Sequence, residues 1–278
     1  MQHEYLLKTV YDGRLVYNKK VTLGPRSCVL DSGAGTGVQQ LMTNVLVAIY
    51  FNDLSFRIGI WAIDLARKVP ESVEIYAIDV TDAKYPSSES APPNVHFSIA
   101  SITALPKQWG ERFDLINQRH LFAALLRTEW PKALSEMYRV LRPNGSVQLV
   151  ELQIVSPLRT NAMHTARHQE YFKVAFDFLG LASDISERLP DLLANADFVD
   201  VVCEKKVIPV GAVWGDIGRQ GSMANGPPMR SFGETFVQIG VFASTAEYDA
   251  HMDEMLKEWD EVGVEFLCSI ICARKPMP

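Results

Sequence analysis

The sequence predicts an α/β fold: a seven-stranded, mostly parallel sheet with helices on both faces and a helical cap. A short apolar segment, residues 28–31, ends in an acid and leads into a glycine-rich loop. Strand-like and helix-like segments then alternate to about residue 155, which is the order that builds a parallel sheet. Two later strand-like segments, 198–208 and 264–273, are expected to add an antiparallel end.

The first element is the strand and loop Val29-Leu30-Asp31-Ser32-Gly33-Ala34-Gly35-Thr36-Gly37. Glycine at every second position lets the backbone turn sharply and approach a ligand without a Cβ in the way. Such a loop usually leads into a helix whose free N–H groups face the same ligand. The pattern alone fits many nucleotide sites and also fits a structural turn.

The second strand, Val73–Asp79, ends in a carboxylate. At this position of a doubly wound sheet, a carboxylate can accept hydrogen bonds from both hydroxyls of a ribose. A strand-end cap is the simpler alternative for Asp79. A nicotinamide-dependent oxidoreductase would show GxGxxG instead of the GxGxG found here, so that class is disfavoured.

The following segments complete an ordered set. Val95–Ile99 is the third predicted strand and Phe113–Asn117 the fourth. A helix over 130–141 then ends at the Arg-Pro-Asn-Gly turn 142–145, and a fifth strand follows at 146–151. With "FDLINQRHLF" and "RVLRPNGSVQLVE", this order resembles the class I S-adenosylmethionine (SAM) dependent methyltransferases. It looks most like their LaeA-like, UbiE-like fungal small-molecule branch, over nearly the whole chain.

This resemblance implies a Rossmann-like domain that binds SAM. The glycines would form the turn under the amino-acid head of SAM, Asp31 would order that loop, and Asp79 would bind the ribose. Ser101, followed by Ile102, stands where the family usually carries an acid for the adenine amino group. Asn117 would contact the SAM amino group. The implied cofactor-binding residues are Asp31, Gly33, Gly35, Gly37, Asp79, Ser101, Ile102 and Asn117.

His120 is the candidate catalytic residue. It follows the fourth strand by three residues, and histidine is the usual general base near neutral pH. A histidine that only packs against or caps the next helix is an equal alternative. The neighbouring Arg119 is assigned to a loop carboxylate. No Asp/His cluster suggests a metal.

Residues 38–58 depart from the resembled pattern. The family runs directly from the glycine loop into "IWAIDLA", which here begins only at Ile60. Removing the segment restores the motif, because Gly59 can stand for Gly37. A genuine insertion and an intron retained in frame are both open explanations. If folded, the segment would form a helix over about 38–50, followed by a second helix over 60–68.

We expect one domain over residues 1–278. Its core would span about 26–155, 198–208 and 264–275, and its cap 1–20, 156–197 and 209–262. Helices are expected over 3–17, 164–181, 185–196, 232–242 and 246–262. Residues 209–233, rich in Gly and Pro, are expected to form a long loop over the site.

Net charge, cysteine spacing and apolar runs limit the classes of function that this chain can have. The formal net charge is −6 and the pI about 5.6, which argues against nucleic acid as the partner. Cys28, Cys203, Cys268 and Cys272 form no CxxC pair and are expected to be reduced. No signal core or membrane-length apolar run is present, so a cytoplasmic protein is expected.

The sequence therefore predicts methyl transfer from SAM to a small organic acceptor in secondary metabolism. Oxygen is the acceptor atom predicted first, ahead of nitrogen or carbon. Two alternatives stay open: a LaeA-like regulator that acts through partners, or a non-catalytic protein whose SAM binding is impaired by the insertion. The sequence does not identify the acceptor or the oligomeric state.

Overall fold

A computed structural model describes residues 2–34, 59–80, 85, 91–156 and 161–278. The predictions for Gly35, Gly37, the helix over 38–50 and the insertion 38–58 lie outside these described residues. All four cysteines are described, and each is free.

The strands are β1 (Cys28–Ser32), β2 (Glu74–Asp79), β3 (Val95–Ile99), β4 (Phe113–Arg119), β5 (Leu141–Leu152), β6 (Val199–Val210) and β7 (Val264–Arg274). The helices are α1 (Gln2–Thr9), α2 (Ile60–Ala66), α3 (Trp130–Val140), α4 (Met163–Leu179), α5 (Ile185–Asn195), α6 (Gly215–Arg230), α7 (Gly233–Gln238) and α8 (Thr245–Val262). None of these helices combines the length and apolar character needed to cross a bilayer.

The seven strands form one sheet in the order β3-β2-β1-β4-β5-β7-β6. Neighbours from β3 to β5 are parallel, and β7 runs antiparallel to both β5 and β6. The predicted α/β fold with a mostly parallel, Rossmann-like sheet and an antiparallel end is therefore confirmed.

Helices cover both faces of the sheet because each presents an apolar stripe to it. On one face, Trp61 and Leu65 of α2 pack with Val29 and Ile75. On the other, α3 buries residues at helical spacing, including Leu134 and Met137, in a core shared with α5. The sheet is thus enclosed where its strands are parallel, as such sheets require.

A separate aromatic core joins α1, α4, α6, α7 and α8. Phe172 of α4 packs edge-on against Phe232 and Phe236. Tyr248 and Trp259 of α8 are fully buried in the same core. These helices form the helical cap that the sequence predicts, while the division of the chain into core and cap as a single domain remains a prediction.

The predicted loop over 209–233 is wrong, because residues Gly215–Arg230 form α6. Glycine has a poor helix propensity, but the glycines of α6 let neighbouring backbone pack closely against the helix, and this packing stabilises it. A Cβ on Gly218 would lie 2.0 Å from the Gly211 carbonyl oxygen, and one on Gly221 would lie 2.3 Å from the Pro209 carbonyl oxygen. Tertiary packing therefore decides this segment.

Other boundaries are also corrected. The N-terminal helix ends at Thr9, not 17, and the helix predicted over 232–242 is the shorter α7. The predicted turn 142–145 lies inside β5, where Asn144 takes a left-handed φ of 68° and the pairing with β4 shifts register. An irregularity of this kind lets the strand begin directly where α3 ends.

Candidate cofactor site and active site

The candidate site lies at the carboxyl ends of β1, β2 and β4. From β1 the chain builds β2 and β3 on one side and then crosses to β4 on the other. Such a reversal of strand order opens a crevice at the carboxyl edge of the sheet, where ligands of doubly wound folds bind. The structure places Gly33, Asp79 and Asn117 together at this edge.

The start of the glycine loop lies beside Gly59, the residue that can stand for Gly37 in the sequence pattern. Gly33 has φ of 67°, and a Cβ there would lie 2.7 Å from the Leu121 side chain. The N–H of Ala34 donates to the Ile78 carbonyl at 2.9 Å, and the Ala34 carbonyl accepts from the N–H of Gly59 at 2.7 Å. Gly59, not a predicted site residue, therefore lies directly against the start of the loop.

Gly59 also begins α2. It has φ of 71°, and its carbonyl accepts the N–H of Ile63 at 2.8 Å. A Cβ at this position would lie 2.3 Å from the Phe97 ring. The position therefore requires glycine for its backbone conformation and for space, as a glycine closing a ligand-binding turn would.

Asp79 ends β2 and is buried, with 4% of its surface exposed. Its carbonyl accepts from the N–H of Ala100, which joins it to the segment after β3. That segment contains Ser101, whose hydroxyl is 2.8 Å from the Thr103 hydroxyl and accepts from the Thr103 N–H. The neighbouring Ile102 is buried in the core. Ribose binding by Asp79 and adenine binding by Ser101 and Ile102 remain predictions.

Asn117 links three strands from within the sheet. Its Nδ2 donates to Asp31 Oδ1 at 2.7 Å, and its Oδ1 accepts from Gln148 Nε2 at 2.9 Å. All three side chains are buried. Both ends of the Asn117 side-chain amide are therefore bonded within the protein, and its contact with the SAM amino group remains a prediction.

The same network holds the N-terminal segment. Gln148 Nε2 also donates to the Leu15 carbonyl at 3.0 Å, and its Oε1 accepts from the Tyr17 N–H at 2.6 Å. Burial raises the pKa of Asp31 to about 6, while the charge of Arg119 and the bond from Asn117 act in the opposite direction. Gln148 was not predicted as a site residue, although a glutamine inside the apolar run "SVQLVE" was the signal.

His120 lies at the rim of the crevice in a left-handed conformation, with φ of 54°. Its backbone N–H donates to the Val150 carbonyl, and its Nε2 is buried and makes no hydrogen bond. Burial, and secondarily the charge of Arg119, lowers the pKa of this imidazole to about 3. His120 is therefore neutral at physiological pH and can accept a hydrogen bond.

The turn after His120 is held by Glu151, which sequence reasoning did not select. Its carboxyl oxygens accept from the N–H groups of Leu121 at 3.1 Å and Phe122 at 3.0 Å. Glu151 is fully buried, and burial raises its pKa to about 8. This contact explains how a strained His120 backbone is maintained.

Helix α1 reaches the crevice through His3, which is 7% exposed. His3 Nε2 lies 3.0 Å from Asp64 Oδ2 on α2, and its Nδ1 lies 3.0 Å from Arg119 Nη1 at the end of β4. No carboxylate of a described residue lies within ion-pair distance of Arg119, so the predicted partner, a loop carboxylate, is not found in this part of the chain. The described residues also contain no His, Cys, Asp and Glu group suited to a metal.

Comparison with known proteins shows similarity to methyltransferases. Residues 51–145 match the family model described as a methyltransferase domain. The chain is 27% identical over 159 residues to N-methyltransferase tcpN of Claviceps purpurea, covering 55% of each chain. It is 24% identical over 227 residues to N-methyltransferase sirN of Leptosphaeria maculans, covering 78% of each. The chain thus spans only about half of the length of tcpN.

Among solved structures, phosphoethanolamine N-methyltransferase 2 of Haemonchus contortus, in complex with SAM, has the same fold. The TM-score is 0.53 at 15% identity, and the likeness covers 99% of this chain and 52% of that one. In its fold, its domain match and its relatives, this chain is thus similar to SAM-dependent methyltransferases. The LaeA-like placement within that class remains a prediction.

Proposed function

We propose that this chain transfers the methyl group of SAM to a small organic acceptor. The observation that carries the proposal is the methyltransferase-domain match over residues 51–145, which include β2 with Asp79 and β4 with Asn117. The residues at that edge fit SAM. Gly33 and Gly59 give the start of the loop its left-handed turns beside the Leu121 and Phe97 side chains, and Asp79 supplies an acceptor for the ribose.

Nitrogen is the acceptor atom to test first. Four fungal relatives are named N-methyltransferases. Those names describe the relatives, and they support nitrogen over the oxygen that the sequence alone suggested. The same fungal relatives are compatible with a role in secondary metabolism, which stays part of the proposal.

The cofactor supplies a methyl group already activated on a cationic sulfur, so the chain needs mainly to position the acceptor and exclude water. Helix α1 lies over the crevice, bonded through His3 to Arg119 and Asp64, and shields it from solvent. His120 offers a neutral imidazole whose Nε2 has no protein partner. It can accept a hydrogen bond from an N–H or O–H group of the acceptor and so orient it, although a pKa of about 3 makes it a weak proton acceptor.

A non-catalytic regulator and a protein with impaired SAM binding are the competing functions. Neither is favoured by relatives that are themselves named methyltransferases.

The first experiment is calorimetry with SAM on two proteins, the chain as it stands and a variant lacking 38–59, in which Gly37 directly precedes Ile60. We expect micromolar binding by both. Asp79→Asn should weaken it about 10- to 100-fold, because a charge-assisted bond contributes about 1.5–3 kcal/mol. If only the shortened chain binds, function belongs to that form.

Turnover is then tested with isotopically labelled SAM and a panel of amines, amides and phenols, with masses of products measured. A methylated amine or amide with stoichiometric S-adenosylhomocysteine supports the proposal. Absence of SAM binding by both proteins would refute it, and capture of a specific protein partner without SAM binding would favour the regulator.

A further inference from the structure

The guanidinium of Arg119 is an unusual cation in this structure. Arg119 is partly buried at the carboxyl end of β4, and its one side-chain hydrogen bond to a described residue is donated to His3. Other arginines of the described chain form ion pairs, for example Arg142 with Asp114 and Arg127 with Asp177. A guanidinium carries five N–H donors, so most of those of Arg119 have no acceptor among the described residues.

The contact with His3 defines the state of that imidazole. Because a guanidinium can only donate, Nδ1 of His3 must accept, and the proton sits on Nε2 facing Asp64. Burial, together with the positive charge of Arg119, lowers the pKa of His3 to about 4. His3 is thus a neutral link that fixes Arg119 in place and leaves its charge uncompensated.

Arg119 is also in the right place for the cofactor. It lies two residues beyond Asn117 on the same face of β4, and Asn117 is paired with Asp31 of β1. Asp64 belongs to α2, the helix that Gly59 begins beside Ala34. The charge of Arg119 opposes the burial that raises the pKa of Asp31 and adds to the burial that lowers the pKa of His120, so it lies close to both groups.

We propose that Arg119, positioned by His3 and Asp64, binds the carboxylate of the amino-acid end of SAM. The inference rests on the proposed function and assigns a ligand group to one residue of that site. A planar guanidinium matches a carboxylate with two parallel hydrogen bonds, and partial burial strengthens them. Asp31, buried and bonded to Asn117, is not within ion-pair distance and does not occupy this donor face.

The test uses calorimetry with two ligands that differ by one group. S-adenosylhomocysteine keeps the carboxylate, and its decarboxylated analogue keeps the adenosine, the sulfur and the amine. The unaltered protein should bind the first at least 10-fold more tightly. Arg119→Gln should remove most of that preference while changing affinity for the analogue less than 3-fold. Arg119→Lys should keep part of it.

Arg67→Gln is the matched control, because Arg67 bonds the other carboxylate oxygen of Asp64 but is 64% exposed. It should leave both affinities unchanged. His3→Ala should weaken binding of S-adenosylhomocysteine about 3- to 10-fold by releasing Arg119. His3→Asn, whose amide oxygen can replace Nδ1 as acceptor, should restore it.

Two outcomes would overturn the inference: an Arg119→Gln protein that keeps the preference, or one that loses both ligands equally. Thermal melting of each variant shows whether an equal loss reflects unfolding, and in that case Arg119→Lys decides between the two roles. If the unaltered protein binds neither ligand, the proposed function fails and this inference fails with it. If it binds both with equal affinity, only the inference fails.

Discussion

At the residue scale, buried polar side chains hold the crevice together. The Asp31–Asn117–Gln148 network lies on one face of three adjacent parallel strands, and every bond within it replaces water that burial has removed. Removing one partner of such a bond leaves the others unsatisfied, which costs more than the bond itself contributes. The network therefore has a structural role beneath the cofactor.

Asn117→Ala tests that role. The substitution removes the donor to Asp31 Oδ1 and the acceptor of one Gln148 N–H, while Gln148 keeps its bonds to Leu15 and Tyr17, so we expect a loss of about 1–3 kcal/mol in the free energy of unfolding. Urea denaturation measures it. Asn195→Ala, at an exposed position of α5, should change the free energy by less than about 0.5 kcal/mol. Equal stability of the Asn117→Ala protein and the parent would show that the network does not stabilise the sheet.

At the element scale, the start of α2 connects the glycine loop to the sheet. The helix is only seven residues long, and its position depends on Gly59, which bonds Ala34 and faces the Phe97 ring. The predicted helix over 60–68 is essentially α2, which ends at Ala66. The sequence did not predict the hydrogen bond from Gly59, at the start of α2, to the Ala34 carbonyl.

Position 59 favours glycine for two reasons, its positive φ and its close contact with Phe97. Comparing Gly59→Ala with Gly13→Ala separates their effects on stability. Both positions have positive φ, but a Cβ at Gly13 meets nothing within 4 Å, whereas at Gly59 it meets Phe97 at 2.3 Å. Gly13→Ala should cost only the left-handed strain, about 1–2 kcal/mol. Gly59→Ala should cost at least about 1 kcal/mol more, from displacement of the ring. Equal melting temperatures of the two variants would argue against the observed packing.

At the scale of the whole molecule, burial of titratable groups makes stability depend on pH. Burial lowers the pKa of His3 to about 4 and those of His120 and His168 to about 3. In the unfolded chain these imidazoles titrate near about 6.5. Below that pH the unfolded state binds more protons than the folded state, so stability falls as the pH decreases.

The buried acids act in the opposite direction. The pKa of Asp31 is raised to about 6 and that of Glu151 to about 8, so the folded state retains protons that the unfolded state has released. Between about pH 4.5 and 6 the unfolded state binds more protons on the three histidines than the folded state holds on the two acids. Stability therefore rises with pH in this range. Above about pH 6.5 only Glu151 remains of this set, and stability falls again until about pH 8.

We therefore expect the free energy of unfolding to be highest near pH 6.5. Each excess proton gives a slope of about 1.4 kcal/mol per pH unit. Urea denaturation from pH 4.5 to 8.5 measures the profile. Glu151→Gln keeps an acceptor oxygen for one of the Leu121 and Phe122 N–H groups, which lowers stability at every pH, but it does not titrate, so it should flatten the limb above pH 6.5. An unchanged limb in this variant would contradict the assignment to Glu151.

The sequence by itself determined the sheet and the carboxyl-edge position of Asp79, Asn117 and His120. This was possible because strand period, turn residues and chain order are local or sequential properties. The cofactor follows from the same ordered motifs. The acceptor atom does not, since the cap that selects the acceptor carries no transferable motif.

Only the tertiary structure decided which side chains meet across distance in sequence. The bonds from His3 to Arg119 and Asp64 span 116 and 61 residues, and the contact from Ala34 to Gly59 bypasses a segment that the sequence places between them. Residues 215–230 became a helix because glycines 218 and 221 let neighbouring backbone approach closely. Local propensity could not predict these features, because their free energy comes from partners supplied by the rest of the fold.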